Sequence, residues 1–245
     1  MKGVVLAGGL GTRLYPLTYV TNKHLLPVYD RPMIFYPIET LVRAGIKDIL
    51  VVTSGPHVGH FLGVLKNGTE LGISHLEYAY QEKPDGGIAD ALLLAEEFAD
   101  GGNITVILGD NTTDAKITGS VTSFNEGAFV FFKKIDNREQ LRKLGVAVFD
   151  EKKNLIRIEE KPQEPKSNFA QTGLYMYDSK VFDCIRMNKP SARGELEITD
   201  VNNRYLENGE LRWEELKGFW SDAGTFETLY LANTYWATKR SRKQS

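Results

Sequence analysis

Little in this sequence suits a secreted, membrane-spanning or nucleic-acid-coating protein. A single cysteine, Cys184, cannot close an internal disulfide, which favours a reducing, cytoplasmic compartment. It sits in VFDCIRM, where the apolar spacing is that of a packed helix rather than of an exposed nucleophile. No apolar run approaches the ~20 residues a spanning helix requires. The short VVLA after Lys2 is followed too soon by Arg13 to read as a signal peptide. An excess of one charge is also missing. Thirty Lys and Arg against 32 Asp and Glu leave a formal charge of −2, so no bulk basic field attracts nucleic acid. The one dense cationic run, TKRSRKQS at 238–245, reads as a solvated terminus. The four histidines, His24, His57, His60 and His75, lack any cysteine or H-E-x-x-H context, so zinc is not expected. No repeat, low-complexity block or Pro/Gly/Ser linker divides the 245 residues, and one domain follows.

What is present is an alternation. KGVVLA (2–7), DILVVT (48–53), HLEYAY (75–80) and ITVIL (104–108) read as buried strands. Helical patterns at 33–45, 57–68 and 88–99 separate them, each with glycine near its end to supply a left-handed cap. Strands joined through helices predict βαβ crossovers. The second half is strand-rich, with AFVFFKK (128–134), VAVFD (146–150), LIRIEE (155–160) and FAQTGLYMYD (169–178), then helices near 197–207 and 225–238. The expected fold is α/β and Rossmann-like: a mixed, mainly parallel central sheet with helices on both faces.

The opening strand runs into GGLGTRLYPLTYVTNKHLLP at 8–27. Glycines at the carboxyl end of a parallel strand let backbone N–H groups approach a polyphosphate. Two familiar phosphate motifs fail, however. The dinucleotide pattern G-x-G-x-x-G started at Gly9 meets Leu14 in place of its third glycine, and no G-K pair exists for a P-loop. A loop carrying Arg13 and Lys23 remains. Chemistry on a nucleoside triphosphate needs such cations, one to stabilise the leaving pyrophosphate and one to hold the α-phosphate.

L-A-G-G-x-G-T-R-L-x-P-L-T followed by N-K-x-L-L-P resembles the signature of the sugar nucleotidyltransferase family, most of all its glucose-1-phosphate thymidylyltransferases, and further matches extend to residue 225. The resemblance implies an enzyme that transfers dTMP from dTTP to glucose 1-phosphate with Mg2+. It implies a nucleotide-binding half (1–115) and a sugar-phosphate-binding half (116–245) of one domain. Leu6, Gly8, Gly9, Gly11, Thr12, Arg13 and Lys23 would hold the nucleotide. Gln81 would read the base edge, helped by the N–H of either Gly86 or Gly87. Asp110, in ILGDN, and Asp222, in WSDAGT, would carry the metal, although a lone aspartate at a strand end is more often a helix cap than a metal ligand. Asn111, Gly145, Glu160, Lys161, Thr172, Tyr175, Arg193 and Trp220 would surround the sugar phosphate, Lys161 neutralising the attacking group. Taken as bare sequence, Glu160–Lys161 is an exposed charge cluster and Arg193 a solvated loop residue. Arg13, Lys23, Asp110 and Lys161 form the implied catalytic set.

Departures from the family pattern lie at the sugar side. Gln171 stands where relatives commonly have valine, and Leu144 replaces an aromatic before Gly145. The chain also stops soon after its last helix, whereas longer relatives continue into helices that help form a secondary nucleotide site and subunit contacts. End-product inhibition therefore does not carry over, while homo-oligomer formation does by analogy. Two other readings stay open: a uridylyl or related transferase for another hexose 1-phosphate, and a non-catalytic nucleotide-sugar binding module.

Overall fold

A computed structural model describes the backbone of residues 1–244 and the side chains of 1–241. Nine strands form one mixed sheet: β1 (Lys2–Ala7), β2 (Asp48–Ser54), β3 (His75–Gln81), β4 (Ile104–Leu108), β5 (Ala128–Lys134), β6 (Gly145–Phe149), β7 (Leu155–Glu160), β8 (Phe169–Tyr177) and β9 (Leu211–Glu215). β4, β1, β2 and β3 lie side by side and parallel, with Leu6 level with Leu108 and Ala7 level with Thr53. Their carboxyl ends therefore share one edge, and they deliver Gly8–Gly9, Ser54, Gln81 and Asp110 to it.

The second half joins through β8, antiparallel to β4 with Leu174 opposite Ile107. This orientation brings the amino end of β8, with Gln171 and Thr172, to the same edge. The β6–β7 pair touches β8 at Val146–Ala170, and Gly145 pairs with Glu160 at its open end. That hairpin thus places its glycine and its glutamate beside Gln171. β9 adds to β5 in parallel register.

Strand alternation splits the core. Val4 and Leu6 point into a cluster with Ala91, Leu92, Phe182 and Val201, under the helices Ile88–Leu93, Val181–Arg186 and Ile198–Glu207. Val5 and Ala7 point the other way, into Ile38, Leu41 and Phe61 of the helices Phe35–Arg43 and Val58–Leu65. Both faces are covered, as the apolar runs require. A third cluster seats the last helix, Phe226–Gln244, through Leu229, Ala232 and Trp236 against Leu14, Val28 and Tyr36.

Three local expectations change. The stretch 88–99 is broken into Ile88–Leu93 and Glu96–Ala99, and Asp100 takes the left-handed position that ends it, followed by the expected glycine, Gly101, also at positive φ. β9 and the helices Thr118–Ser123 and Arg138–Leu141 add to the predicted elements. The basic run is not merely solvated: Lys239 pairs with Asp114, and Arg240 with Asp30. Residue 245 and the side chains of 242–244 lie outside the described residues. Among the described residues no helix is long and apolar enough to cross a membrane.

Candidate functional site

Two cavities open along the carboxyl edge and share Arg13, Ile88, Leu108, Asp110 and Glu195. The first, 260 Å3, is lined by Leu6, Gly8, Gly9, Lys23, His24, Gln81 and Gly87 as well. The second, 440 Å3, adds Asn111, Gly145, Glu160, Lys161, Gln171, Thr172, Tyr175, Arg193, Trp220 and Asp222. Residues as far apart in sequence as Leu6 and Asp222 thus meet in one continuous cleft.

The glycine loop enters the first cavity through Gly8 and Gly9. Ser54 Oγ accepts the Gly9 N–H at 2.8 Å and fixes the turn to β2. A Cβ on Gly8 would fall 2.8 Å from Gln81 Oε1 and 3.2 Å from Ser54 Oγ, so a side chain there would displace that amide. Gln81 Nε2 donates to Asp90 Oδ2 at 2.8 Å and to the Gly87 carbonyl at 3.4 Å. Its orientation is thereby set, with the carbonyl oxygen as the group beside the cavity. Gly87, not Gly86, lines the cavity. Gly11 and Thr12 do not line it either. Gly11 instead turns the chain in the left-handed region into the short helix that carries Arg13.

Lys23 Nζ lies 2.6 Å from Asp110 Oδ2, with both side chains largely buried. Burial opposes the Asp110 charge, yet Lys23 and a hydrogen bond from Asn111 Nδ2 (3.0 Å) hold its carboxyl below the usual range. Asp222 behaves oppositely. Burial raises its carboxyl, and the Asp110 carboxylate raises it further. Its Oδ1 is buried with no hydrogen-bond partner. Neither aspartate is a helix cap, because no helix starts at Asp110 and the last helix is capped by Thr225 Oγ1, which accepts from Thr228 N at 3.3 Å.

Gly224 marks where these groups converge. A Cβ there would lie 3.0 Å from the Asp222 carbonyl, 3.1 Å from Arg13 Nη2 and 3.3 Å from Asp110 Oδ2. Among the described residues the Arg13 guanidinium forms no ion pair with a carboxylate, which leaves its fork open to an anion. No group of three or more His, Cys, Asp or Glu that could hold a metal gathers among the described residues. A site of two carboxylates suits Mg2+, which fills its octahedron with waters and phosphate oxygens, and the orphaned Asp222 oxygen beside Asp110 fits that ion.

In the second cavity Glu160 Oε2 accepts from Thr199 Oγ1 at 2.5 Å. Lys161, the residue after β7, takes a positive φ of 45°. Arg193 is not free in solvent: it pairs with Glu197 at 2.7 Å, Glu160 at 3.5 Å and Glu195 at 3.6 Å. Three of the expected sugar ligands, Thr172, Asn111 and Trp220, have polar atoms engaged within the protein. The Thr172 hydroxyl donates to the Phe131 carbonyl (2.9 Å). Asn111 Oδ1 accepts from Trp220 Nε1 (2.7 Å) and Gly173 N (2.9 Å). Asn111 and the Trp220 indole therefore frame the cavity and orient Asp110.

Sequence reasoning missed the lining residues His24, Glu195 and Glu197, and also Ser54 and Thr199, which bond to lining residues from behind. Only the charge-dense RGELE run at 193–197 offered a signal for any of them. His24 is fully buried beside Lys23, and burial followed by that charge pushes its imidazole down to about 3.

Known proteins share this sequence and fold. The sequence model of the nucleotidyl transferase family matches residues 2–239. A glucose-1-phosphate thymidylyltransferase of Neisseria gonorrhoeae is 46% identical over 241 residues, 96% of this chain and 82% of that protein. The Xanthomonas campestris pv. campestris (strain B100) enzyme of the same name is 43% identical over 248 residues, 99% and 82% of the two chains. A Bacillus anthracis protein described as a glucose-1-phosphate thymidylyltransferase, solved in complex with sucrose, superposes with a TM-score of 0.89 at 48% identity, covering 96% of this chain and 94% of its own. The chain belongs to the nucleotidyl transferase family.

Proposed function

We propose that this protein transfers dTMP from dTTP to glucose 1-phosphate, giving dTDP-glucose and pyrophosphate. The observation that carries the reading is the meeting of Arg13, Lys23, Asp110, Lys161 and Asp222 along two joined cavities. One cavity has the bare backbone and amide of a base-and-phosphate site; the other has the carboxylate and cations of a sugar-phosphate site. Relatives at 43–46% identity carry the corresponding name.

The nucleotide occupies the glycine-loop cavity. Gln81 Oε1, held as an acceptor, takes the N3–H of thymine or uracil, and the Gly87 N–H donates to a ring carbonyl. Cytosine has no hydrogen at N3 and finds two acceptors facing each other. Lys23 holds the α-phosphate, and Arg13 meets the charge that grows on the departing pyrophosphate. Arg193, with Lys161, faces the sugar phosphate, and Glu160 accepts from ring hydroxyls opposite the bare Gly145.

No side-chain nucleophile is needed. An ionised oxygen of glucose 1-phosphate bonds to the α-phosphorus as the α–β bridging P–O bond breaks, and the electron pair leaves with pyrophosphate. The protein aligns the reactants and neutralises charge. Asp110 and Asp222 would hold Mg2+, which when bound neutralises phosphate charge and fixes the triphosphate's orientation. A lone, partly buried Cys184 fits a reducing cytoplasm.

Pyrophosphate release measured across dTTP, UTP, CTP, ATP and GTP against several hexose 1-phosphates, with and without Mg2+, tests the reading. Turnover highest with dTTP and glucose 1-phosphate, and dependent on metal, supports it. Equal turnover without Mg2+, or none with any pair, removes it. The 5-methyl group separating dTTP from UTP is worth only ~1–3 kcal/mol in a fitted pocket, so the UTP column decides the base specificity.

A further inference from the structure

One lining residue of the sugar-phosphate cavity carries a hydrogen-bond relay that its own packing does not require. Gln171 is a buried amide on β8, and burying an amide is unfavourable unless its polar atoms are satisfied. Its Oε1 accepts from Asn202 Nδ2 at 3.0 Å. Asn202 Oδ1 in turn accepts from the Tyr177 hydroxyl at 2.6 Å. Asn202 and Tyr177 are completely buried. The relay therefore has a direction. Tyr177 donates, Asn202 turns its amino group toward Gln171, and Gln171 turns its amino group toward the cavity.

Nε2 carries two hydrogens. One approaches the Tyr175 hydroxyl oxygen across a long 3.4 Å. The other faces Gly145, where a Cβ would stand 3.5 Å from Nε2, 3.4 Å from Gln171 Cβ and 3.4 Å from Thr199 Oγ1. Those are ordinary contact distances, so no protein atom forces glycine at 145. The bare backbone keeps open a space for a guest, rimmed by Gln171 on one side and by Thr199 and the Glu160 it bonds on the other. A buried donor aimed into such a space lacks its acceptor until a ligand supplies one.

We propose that Gln171 is a specificity-determining residue: its free Nε2 hydrogen donates to one ring hydroxyl of the hexose 1-phosphate, with Asn202 and Tyr177 as positioning residues that fix the amide's polarity. The assignment rests on the hexose 1-phosphate reading of the cavity. An aliphatic side chain at 171 would pack against the ring without distinguishing a hydroxyl from a hydrogen. The amide makes that distinction, because a sugar lacking the hydroxyl leaves the donor buried and unpaired.

The test measures kcat/KM for pyrophosphate release with glucose 1-phosphate, with analogues lacking each ring hydroxyl in turn, and with the matching fluorinated analogues. The enzymes are the wild type, Gln171→Val and Tyr177→Phe. In the wild type one deoxy analogue should lose about tenfold through this contact. That deficit should nearly vanish in Gln171→Val and shrink in Tyr177→Phe, while the deficits at other positions persist. Fluorine accepts a hydrogen bond but cannot donate one, so the fluorinated analogue at that position should recover part of the loss. If Gln171→Val folds poorly because Asn202 is orphaned, Gln171→Val/Asn202→Leu removes both partners and gives the same reading. Deficits unchanged in every variant overturn the contact, and a fluorinated analogue as poor as the deoxy one overturns its polarity. Failure of the wild type to turn over any nucleotide and hexose phosphate pair would instead remove the parent reading.

Discussion

Lys23 Nζ and Asp110 Oδ2 are 2.6 Å apart and shielded from solvent, so a cation and an anion of the site neutralise each other before either meets a substrate. Their residues come from different elements, the short helix Lys23–Leu25 and the loop after β4. The pair consequently joins the glycine loop to the sheet as well as preparing the site. Lys23→Met leaves Asp110 buried beside Asp222 without compensation, and should cost about 3–5 kcal/mol of stability along with most activity. Lys23→Met/Asp110→Asn should regain much of the stability and none of the turnover. Urea midpoints beside pyrophosphate release check both; a double variant no more stable than the single one would show that the pair is not electrostatically coupled.

Asp222 is held partly toward its protonated form by burial and by Asp110. In the proposed metal-binding role, a proton and a divalent cation therefore compete for it. Lowering the pH through its raised pKa should weaken Mg2+ activation, since the protonated carboxyl is a poor ligand. Asp222→Asn should shift the Mg2+ titration to higher concentration and flatten its pH dependence. The readout is half-maximal Mg2+ between pH 5 and 8 (about the range where the wild type stays folded). An unchanged titration in the variant would return Asp222 to a structural role.

Asn111 closes a circuit among three distant segments. It donates to Asp110 and accepts from Gly173 N and Trp220 Nε1. Asn111→Ala orphans two buried N–H groups at about 1–3 kcal/mol each, and it frees Asp110 to turn. Stability should fall by about 3 kcal/mol, and kcat should fall more than KM rises. Trp220→Phe, which removes one of the orphaned donors, should cost less in the Asn111→Ala background than alone. Additive losses would mean that the bond from Trp220 carries no weight.

Gln81 is oriented by Asp90 so that its carbonyl oxygen lies beside the glycine-loop cavity, where the proposed function puts the base. Asp90→Leu should release the amide to flip. The outcome expected is a reduced preference for dTTP over CTP, by about tenfold if one hydrogen bond is reversed, with kcat for dTTP less affected. Competition assays with the two nucleotides measure it. A preserved ratio would show that the orientation comes from the packing of Gly8 and not from Asp90.

Most of the parallel half of the sheet was legible because Lys2–Ala7, Asp48–Ser54 and Ile104–Leu108 are buried on both faces and read as continuous apolar runs, each within one residue of the bounds the sequence suggested. β9 was not. Its LRWEE alternates charge on an edge where one side meets solvent, and such strands lack the apolar signal that marks an interior one. The cavity-lining residues that came from motifs share a local cause, bare glycine or a charge at a strand end. Thr199, Glu197 and Asn202 come from the amino-terminal end of the helix Ile198–Glu207, and their roles arise only when β7 and β8 are set beside it. No short window of sequence contains that meeting. For the same reason the partners of Thr172 and Asn111 escaped sequence reasoning, since Phe131 and Trp220 lie 41 and 109 positions away.

His24 supplies the clearest acid-limb prediction. Its ring is buried, Nδ1 lies 2.7 Å from Asn22 Oδ1, and burial with the Lys23 charge pushes its pKa from 6.5 down to about 3. The unfolded chain binds a proton at this residue below about pH 6.5 while the folded protein does not, so stability is lost as pH falls. The slope is about 1.4 kcal/mol per pH unit for one proton, developing below pH 6.5 and ending near pH 3. Asp110, whose folded pKa is depressed, adds a loss in the same direction, but only where an unfolded carboxyl begins to protonate, near pH 4. Between about pH 6 and 5 the histidine contribution therefore stands apart from that carboxylate. Urea midpoints across that interval should decline in the wild type and decline less in His24→Gln, whose amide neither titrates nor needs to lose a proton to be buried. Equal slopes in the two proteins would mean that His24 takes up a proton without unfolding the site around Lys23.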